Sequence, residues 1–169
     1  MDAVEFREIQ APIKALYRED PGSAVITLKA EGVIGENVSC SVDTGRAFVE
    51  AGLHPATGGS GVHACSGDML LEALVACAGV TLNAVATALE LKLGDAKVRA
   101  EGDLDFRGTL GVEKAAPVGF RDIRLSFDID SDLTEEQLAT LLKLTERYCV
   151  VYQTLVSTSH IAVTVNTGS

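Results

Sequence analysis

Basic residues are scarce in this chain. Of its 169 residues, 14 are Lys or Arg and 24 are Asp or Glu, so the formal charge at pH 7 is −10. Binding to nucleic acid rests largely on Lys and Arg that neutralise phosphates, and so does binding to anionic membranes. The composition therefore argues against both partners. The 47% of hydrophobic and 22% of charged residues are typical of a globular protein, which we expect to be a single domain spanning residues 1–169.

Cysteine is scarce as well, and no two cysteines form a Cys-x-x-Cys motif. The four are Cys40, Cys65, Cys77 and Cys149. They are too few for the disulfide scaffold of a small secreted protein. The first residues also lack the basic and then apolar segments of a secretory signal. We therefore predict a cytoplasmic protein, in which such cysteines are inert core residues, metal ligands or catalytic groups.

One stretch is long enough to raise the question of a membrane span. Ala73 to Leu89 runs 17 residues without a charge, which is near the lower limit for crossing a bilayer. The stretch is rich in Ala and Thr, contains Asn83, and lies between Glu72 and Glu90 without a basic flank. We predict a buried helix of a soluble fold.

The first part of the chain predicts a helix followed by short strands. Residues 6–20 allow a helix that ends before a Pro-Gly turn, and strand character follows in 24–30, 37–42 and 47–50. The tight connections between these strands indicate an antiparallel meander. Residues 52–66 predict a loop with a glycine-rich tip. Because no Gly-Lys-Ser/Thr follows it, this loop is a connector rather than a phosphate-binding loop.

The second part of the chain is more regular. Residues 67–92 predict a long helix that is apolar on nearly every side, as in a helix buried in a core or at a subunit interface. Residues 97–106 and 120–129 alternate polar and apolar residues and predict two strands with one polar face. The remaining elements are a helix from the capping box Thr134-Glu-Glu-Gln137 to Tyr148, a short helix to about Val156, and a last strand, Ile161 to Val165. This order predicts an α+β fold.

Two segments around cysteines carry a resemblance. Taken alone, Cys77 and Cys149 are most simply small buried hydrophobes. However, Ser66-Gly-Asp-Met-Leu-Leu-Glu-Ala-Leu-Val-Ala-Cys77, followed by Ala-Gly-Val-Thr81, resembles the central-helix motif of the OsmC/Ohr family, Pro-Glu-Glu-Leu-Leu-Leu-Ala-Ala-Leu-Ala-Ala-Cys and then Thr. Glu146-Arg-Tyr-Cys149-Val-Val-Tyr-Gln-Thr-Leu155 resembles the family's second motif, Glu-Arg-Tyr-Cys-Pro-Val-Ser-Arg-Thr-Leu. The resemblance extends from about Ala24 to Val165.

The resemblance implies both a fold and a chemistry. The fold would be OsmC-like, with antiparallel sheets around a long buried central helix in an intertwined homodimer whose active sites lie at the subunit interface. The chemistry would be the reduction of organic hydroperoxides, with Cys77 attacking the peroxide and Cys149 resolving the sulfenate as a disulfide. A small dithiol or a dithiol protein would then reduce the disulfide. No metal and no other cofactor would be needed.

The sequence departs from the family's peroxidases where they activate the thiol. They use an Arg from an early strand turn and a Glu ten residues before the reactive Cys. Here the turn is residues 31–35, without Arg, and the Glu position is Gly67. Asp68 is adjacent, but at 100° per residue it faces the opposite side of the helix from Cys77, so an acid favoured by the helix N-terminus is the simpler explanation. Arg46 and Arg147 are the remaining candidate partners, and both are also explained as surface residues.

Three further groups of residues have alternative explanations. Thr81, one turn after Cys77, has a hydroxyl that can donate to a thiolate or to its own helix. Glu72 faces solvent or a partner strand. A metal site would combine the residues His54, His63 and Cys65 with Cys40 or Asp68, but the His-x-Cys spacing is too close for the usual zinc patterns. His160 is most simply a strand-edge residue.

The sequence therefore predicts an OsmC-like peroxidase, with two alternatives left open. One is an OsmC-like dimer without peroxidase turnover, which binds a small apolar or electrophilic ligand at the interfacial pocket. The other is a structural dimer in which neither thiol reacts. The peroxidase needs the Cα atoms of Cys77 and Cys149 within disulfide range, about 4.4–6.8 Å.

Overall fold

The computed structural model describes residues 2–20, 31–34, 39–43 and 48–167. Its first element is helix α1, Ala3–Glu19, which confirms the helix predicted within residues 6–20. Asp2 caps α1 by accepting hydrogen bonds from the first-turn N–H groups, and the Glu5 carboxylate accepts one from Asp2 in return. This capping box starts the helix earlier than predicted.

A small sheet follows, made of β1, Glu31–Ile34, β2, Ser39–Asp43, β3, Phe48–Gly52, and β4, Ala64–Cys65. Strands β1, β2 and β3 form an antiparallel meander, in which β2 and β3 correspond to the strands predicted at 37–42 and 47–50. Two corrections apply. Residues 31–34 form a strand where a turn was expected, and the two-residue β4 pairs in parallel with β3 within a predicted loop. The predicted strand 24–30 lies outside the described residues.

The long helix α2, Ser66–Ala88, is the centre of the fold. It ends before the predicted boundary, residue 92, because Glu90 takes a left-handed backbone with φ 59°. The N–H of Glu90 then bonds to the carbonyl of Thr87, and that of Leu91 to the carbonyl of Ala86. These two bonds form a Schellman motif, in which glycine is the usual residue at the left-handed position. Position 90 is not a glycine, so no local signal marks the end of the helix.

The polar-faced hairpin predicted from residues 97–106 and 120–129 is present. Strands β5, Ala96–Leu104, and β6, Phe120–Ile129, pair antiparallel and lay their apolar face on α2. A short helix, α3, Phe106–Thr109, follows β5. Charged side chains cover the outer face of the hairpin, where Arg124 bonds to Asp103 at 2.5 Å.

Two helices complete the core. Helix α4, Glu135–Tyr148, opens with the predicted Thr134–Gln137 capping box, and α5, Val150–Val156, follows directly. One buried cluster joins α2 to α4 through Leu82, Val85, Ala86 and Leu141. The α+β class and the long central helix are therefore confirmed.

The burial predicted for α2 is found on one face only. Leu74, Ala78 and Leu82 are buried, whereas Val80 is 73% exposed. By length and composition α2 could cross a membrane. In this fold it packs against β5, α4 and α5.

The strand predicted at residues 161–165 is not formed, and that prediction was wrong for the single chain. Residues 158–167 carry no strand pairing, and Ile161, Val163 and Val165 are at least 80% exposed. An extended segment becomes a strand when another backbone bonds to it. Among the described residues of this chain, no strand does so.

Candidate functional site

The site is built where α2 meets the junction of α4 and α5. Cys77 lies on α2, between the buried residues Leu74 and Ala78. Cys149 is the single residue between α4 and α5, with an extended backbone, φ −74° and ψ 109°. This break turns the chain so that the Cys149 thiol meets the Cys77 thiol, and the two sulfur groups are hydrogen-bonded to each other.

The two thiols differ in their access to solvent. Cys149 is 1% exposed and belongs to a buried cluster with Leu74 and Ala78. Cys77 is half-buried and packs at the edge of that cluster. A small molecule that approaches from solvent therefore reaches Cys77 first.

The first turn of α5 supplies hydrogen-bond donors to both sulfurs. The first N–H groups of a helix have no partner within the helix. Here the N–H groups of Val150 and Val151 donate to Cys77, and those of Val151 and Tyr152 donate to Cys149. The first turn of α5 therefore forms a set of donors around a sulfur that carries negative charge.

The pKa values of the two thiols are shifted in opposite directions. Burial on its own would raise the pKa of Cys77, but the hydrogen bonds, led by that of the Val151 N–H, outweigh it and hold that pKa below its usual value. Burial raises the pKa of Cys149, and the neighbouring Cys77 raises it further. The Cys77 thiol therefore ionises more readily than the Cys149 thiol, and it is also the more accessible of the two.

Thr81 lies close to Cys77, and its hydroxyl bonds to the backbone of its own helix. Its hydroxyl donates to the carbonyl of Cys77 at 2.7 Å, the backbone bond that is usual for a helical threonine. The same side chain also contributes, weakly, to the lowered pKa of Cys77.

The acidic candidates lie away from the thiols. Asp68 is exposed in the first turn of α2. Because α2 begins at Ser66, the helical geometry holds from that residue and directs Asp68 away from Cys77. Glu72 is exposed as well. Gly67, at the position of the family's Glu, lies against the side chains of Leu104 and Phe120, where a Cβ would have contacts of 3.5 Å.

Arg147, the arginine candidate that the structure describes, supplies no cation to the site. The guanidinium of Arg147 lies over the ring of Tyr148, 5.7 Å from its centroid. Arg46 lies outside the described residues. The hydrogen bonds that lower the pKa of Cys77 come from amides, a thiol and a hydroxyl, none of which is a cation.

The two histidines considered for a metal site make other contacts. His54 caps a 3-10 turn, accepting from the Ala56 N–H at 3.1 Å, and stacks on Phe106 with ring centroids 4.9 Å apart. His63 lies 3.5 Å from the Glu50 carboxylate. Within the described ranges, no three potential ligands converge on one point. Of Cys40, in β2, the structure describes the backbone alone, and His160 is exposed in the C-terminal segment.

Sequence reasoning missed the amide donors of α5. The available signal was the placement of Cys149 directly before a short helix, since an N-cap residue lies beside unpaired N–H groups. A second signal was Val150, which keeps an N–H where the family motif has proline.

The comparisons with known proteins concern the family and the fold. The family described as OsmC-like protein matches residues 58–166, more than half of the chain. No curated protein matches the sequence. Among solved structures, an OsmC-like protein from Mycoplasma pneumoniae is similar with a TM-score of 0.64 and 20% identity, covering 78% of this chain and 88% of that one.

Two other similar structures carry functional names. An organic hydroperoxide resistance protein OsmC from Legionella pneumophila has a TM-score of 0.61 and 19% identity, covering 78% of this chain and 90% of that one. An organic hydroperoxide resistance protein from Elizabethkingia anophelis, with thiocyanate bound, has a TM-score of 0.60 and 21% identity, covering 76% and 87%. At these identities the likeness establishes the shared fold.

Proposed function

Because the chain belongs to the OsmC-like protein family, we propose that it is a thiol-dependent peroxidase that reduces organic hydroperoxides with Cys77 and Cys149. The observation that carries the proposal is the contact between an accessible thiol of lowered pKa and a buried thiol of raised pKa. A thiolate is the attacking species in such chemistry. Structural neighbours named as organic hydroperoxide resistance proteins support the choice of substrate.

The reaction begins at Cys77. Its thiolate attacks one oxygen of the hydroperoxide, the O–O bond breaks, and the alkoxide leaves as an alcohol after taking up a proton. Cys77 is thereby oxidised to a sulfenic acid. The Cys149 thiol then attacks the Cys77 sulfur and water leaves, so that a disulfide forms. A small dithiol or a dithiol protein returns both cysteines to thiols and is itself oxidised to a disulfide.

The first turn of α5 takes over part of the role of the absent arginine. The N–H groups of Val150 and Val151 donate to the Cys77 sulfur. Hydrogen bonds to the ionised form of a group favour that form. They can stabilise the thiolate without a cation, although they offer no positive charge to the peroxide.

We also propose that the working unit is a cytoplasmic homodimer. The exposed face of α2, which includes Val80, and the row Ile161, Val163 and Val165 are apolar surfaces of the kind that mark protein contacts. A second copy would supply the backbone that residues 161–165 need to become a strand.

Val163→Pro, which deletes one N–H, should then lower the sedimentation coefficient, whereas Val163→Ala should not. Equal sedimentation of the two variants would contradict the pairing.

The peroxidase is tested by intact mass under non-reducing conditions after one equivalent of cumene hydroperoxide. Wild type should lose about 2 Da as one disulfide forms, and Cys149→Ser should accumulate a sulfenic or more oxidised form. Cys77→Ser should keep its mass. Cys65→Ser is the matched control, because it removes a half-buried thiol outside the pair and should behave as wild type.

An unchanged wild-type mass in excess peroxide would overturn the peroxidase. The non-catalytic alternative, a dimer that binds an apolar or electrophilic ligand, would then be the better description. In that case Cys149→Ser should leave ligand binding unaffected.

A further inference from the structure

The break between α4 and α5 leaves the Glu146 carbonyl without its helical partner. The last backbone bond of α4 runs from the Cys149 N–H to the Thr145 carbonyl, at 2.9 Å. The next bond of that series would join the Val150 N–H to the Glu146 carbonyl, and in the described part of the chain it is not made. The cause is the extended backbone of Cys149, φ −74° and ψ 109°, which interrupts the helix.

The side chain of Gln153 takes the place of the missing donor. Its Nε2 donates to the Glu146 carbonyl at 2.8 Å, across the break. Its backbone N–H donates to the Cys149 carbonyl at 2.9 Å, within the first turn of α5. One residue of α5 therefore bonds to both sides of the break, to the end of α4 through its side chain and to the start of α5 through its backbone.

The residue after Cys149 does not by itself enforce this break. Position 150 is valine, which keeps the N–H that a proline would lack. If the Val150 N–H bonded to the Glu146 carbonyl, α4 would continue into α5. That N–H carries a single hydrogen and in this structure donates it to Cys77. The Gln153 amide is thus the alternative donor to the Glu146 carbonyl, and its use leaves the Val150 N–H available to the sulfur.

We propose that Gln153 is a positioning residue for Cys77: by donating to the Glu146 carbonyl, it stabilises the broken arrangement in which the Val150 N–H is directed to the Cys77 sulfur. It acts through the backbone of α5. The inference rests on the proposed function for its catalytic meaning, because the peroxidase uses the Cys77 thiolate. The exchange of hydrogen-bond partners concerns the thiolate alone, so it can be tested without peroxide.

The test is the rate of iodoacetamide alkylation at Cys77 as a function of pH in Gln153→Leu, followed by peptide mass spectrometry. Leucine is a good helix former without a hydrogen-bond donor, and Gln153 is exposed, so the variant should have the circular dichroism of wild type. A neutral hydrogen bond shifts an equilibrium about fivefold. Alkylation at neutral pH should therefore slow by about two- to fivefold, and the pKa of Cys77 should rise. At a pH above the pKa of Cys77 in both proteins the rates should converge.

Thr154→Val is the matched control on the same helix. It removes one side-chain hydrogen bond, from the Thr154 hydroxyl to the Val150 carbonyl at 2.8 Å, and leaves the bond between Gln153 and Glu146 in place. Its pH profile should follow that of wild type. If Gln153→Leu and Thr154→Val give the same profile, the Gln153 side chain does not position α5 and the proposal is wrong.

A second background distinguishes positioning from a general loosening of α5. Proline at position 150 has no N–H to donate and cannot continue α4. Gln153→Leu should therefore have no further effect on the pH profile of a chain that already carries Val150→Pro. Equal slowing in both backgrounds would show that Gln153 does not act through the Val150 N–H, and would overturn the proposal.

The peroxidase can fail separately from this role of Gln153. A wild-type mass that stays unchanged in excess cumene hydroperoxide would overturn the proposed function. If the alkylation rates nevertheless differ as expected, Gln153 still positions the donors to the Cys77 thiolate.

Discussion

The N–H group of Val150 is the donor to Cys77 that one substitution can delete with little disturbance. Val150 is the first residue of α5, where proline is well tolerated because its ring suits the helical φ. Cys149 before it has an extended backbone, φ −74° and ψ 109°, which a following proline permits. Proline also stands at this position in the family's second motif. Val150→Pro should therefore fold normally and lack one donor to the sulfur.

The expected effect follows from the charge on the Cys77 sulfur. A hydrogen bond to a charged group contributes about 1.5–3 kcal/mol. We take the lower end, because the Val151 N–H contributes more than that of Val150 and remains in place. A loss of about 1.5 kcal/mol corresponds to roughly tenfold less thiolate at a pH below the pKa of Cys77. The pKa of Cys77 should rise in the variant, because its ionised form is less stabilised.

The assay is the rate of iodoacetamide alkylation at Cys77 as a function of pH, followed by peptide mass spectrometry so that other thiols do not contribute. Only the thiolate reacts, so the rate follows the ionised fraction. At neutral pH the variant should react more slowly than wild type. At a pH above the pKa of both proteins the rates should converge, because the thiol is then fully ionised in each.

Val150→Ala is the matched control. It removes most of a side chain that is 70% exposed but keeps the N–H, so its pH profile should follow that of wild type. If Val150→Pro and Val150→Ala give the same profile, with unchanged circular dichroism, the Val150 amide does not stabilise the thiolate. In that case the first turn of α5 does not compensate for the absent arginine.

Three other substitutions test electrostatics and backbone geometry elsewhere. The Arg107 side chain lowers the pKa of Asp105 to about 2 by hydrogen bonding. A lowered pKa stabilises the fold above the unfolded-state pKa, and this stability is lost as the pH falls through about 2. Arg107→Gln should therefore raise the Asp105 pKa in an NMR titration, and an unchanged pKa would contradict the pairing. Glu90→Gly removes the backbone strain of a non-glycine residue at φ 59°, which should stabilise the fold by about 1 kcal/mol. It also removes the exposed ion pair with Arg7, which should cost about 0.5 kcal/mol. Urea unfolding should show a net gain of about 0.5 kcal/mol, and a loss would refute the strain argument. Gly79→Ala should raise the free energy of unfolding by about 0.5–1 kcal/mol in the same assay, because glycine within a helix is less stable than alanine. The new Cβ would lie 3.7 Å from the nearest side-chain atom, an ordinary contact distance. A lower free energy of unfolding would show that the Cβ clashes with that neighbour.

The elements that the sequence predicted well have local signals. The β5–β6 hairpin alternates polar and apolar residues over its whole length, and α4 begins with a complete capping box between Thr134 and Gln137. Both patterns depend on neighbours a few residues apart, so they can be recognised without knowledge of the fold. The capping box at Asp2 and Glu5 carried the same kind of signal, and it was missed.

The elements that were predicted wrongly depend on distant contacts or on a missing glycine. The end of α2 is fixed by Glu90, a residue with no special preference for the left-handed backbone it adopts. Strand β4 is defined by its pairing with β3, through Ala64 and Cys65, and two residues show no periodicity. The segment 161–165 has the alternation of a strand but no pairing backbone among the described residues of one chain.

The two cysteines of the site were found from motifs, yet their different roles follow from the geometry of one turn. Cys149 ends α4 and begins α5, and packing against Leu74 and Ala78 leaves it 1% exposed. The same break leaves the N–H groups of Val150 and Val151 without helical partners and next to Cys77. Burial therefore favours the protonated thiol at Cys149, whereas the amides favour the thiolate at Cys77. If the pair reacts with peroxide, the order of events should be fixed, and exchanging the environments of the two thiols would require moving the start of α5.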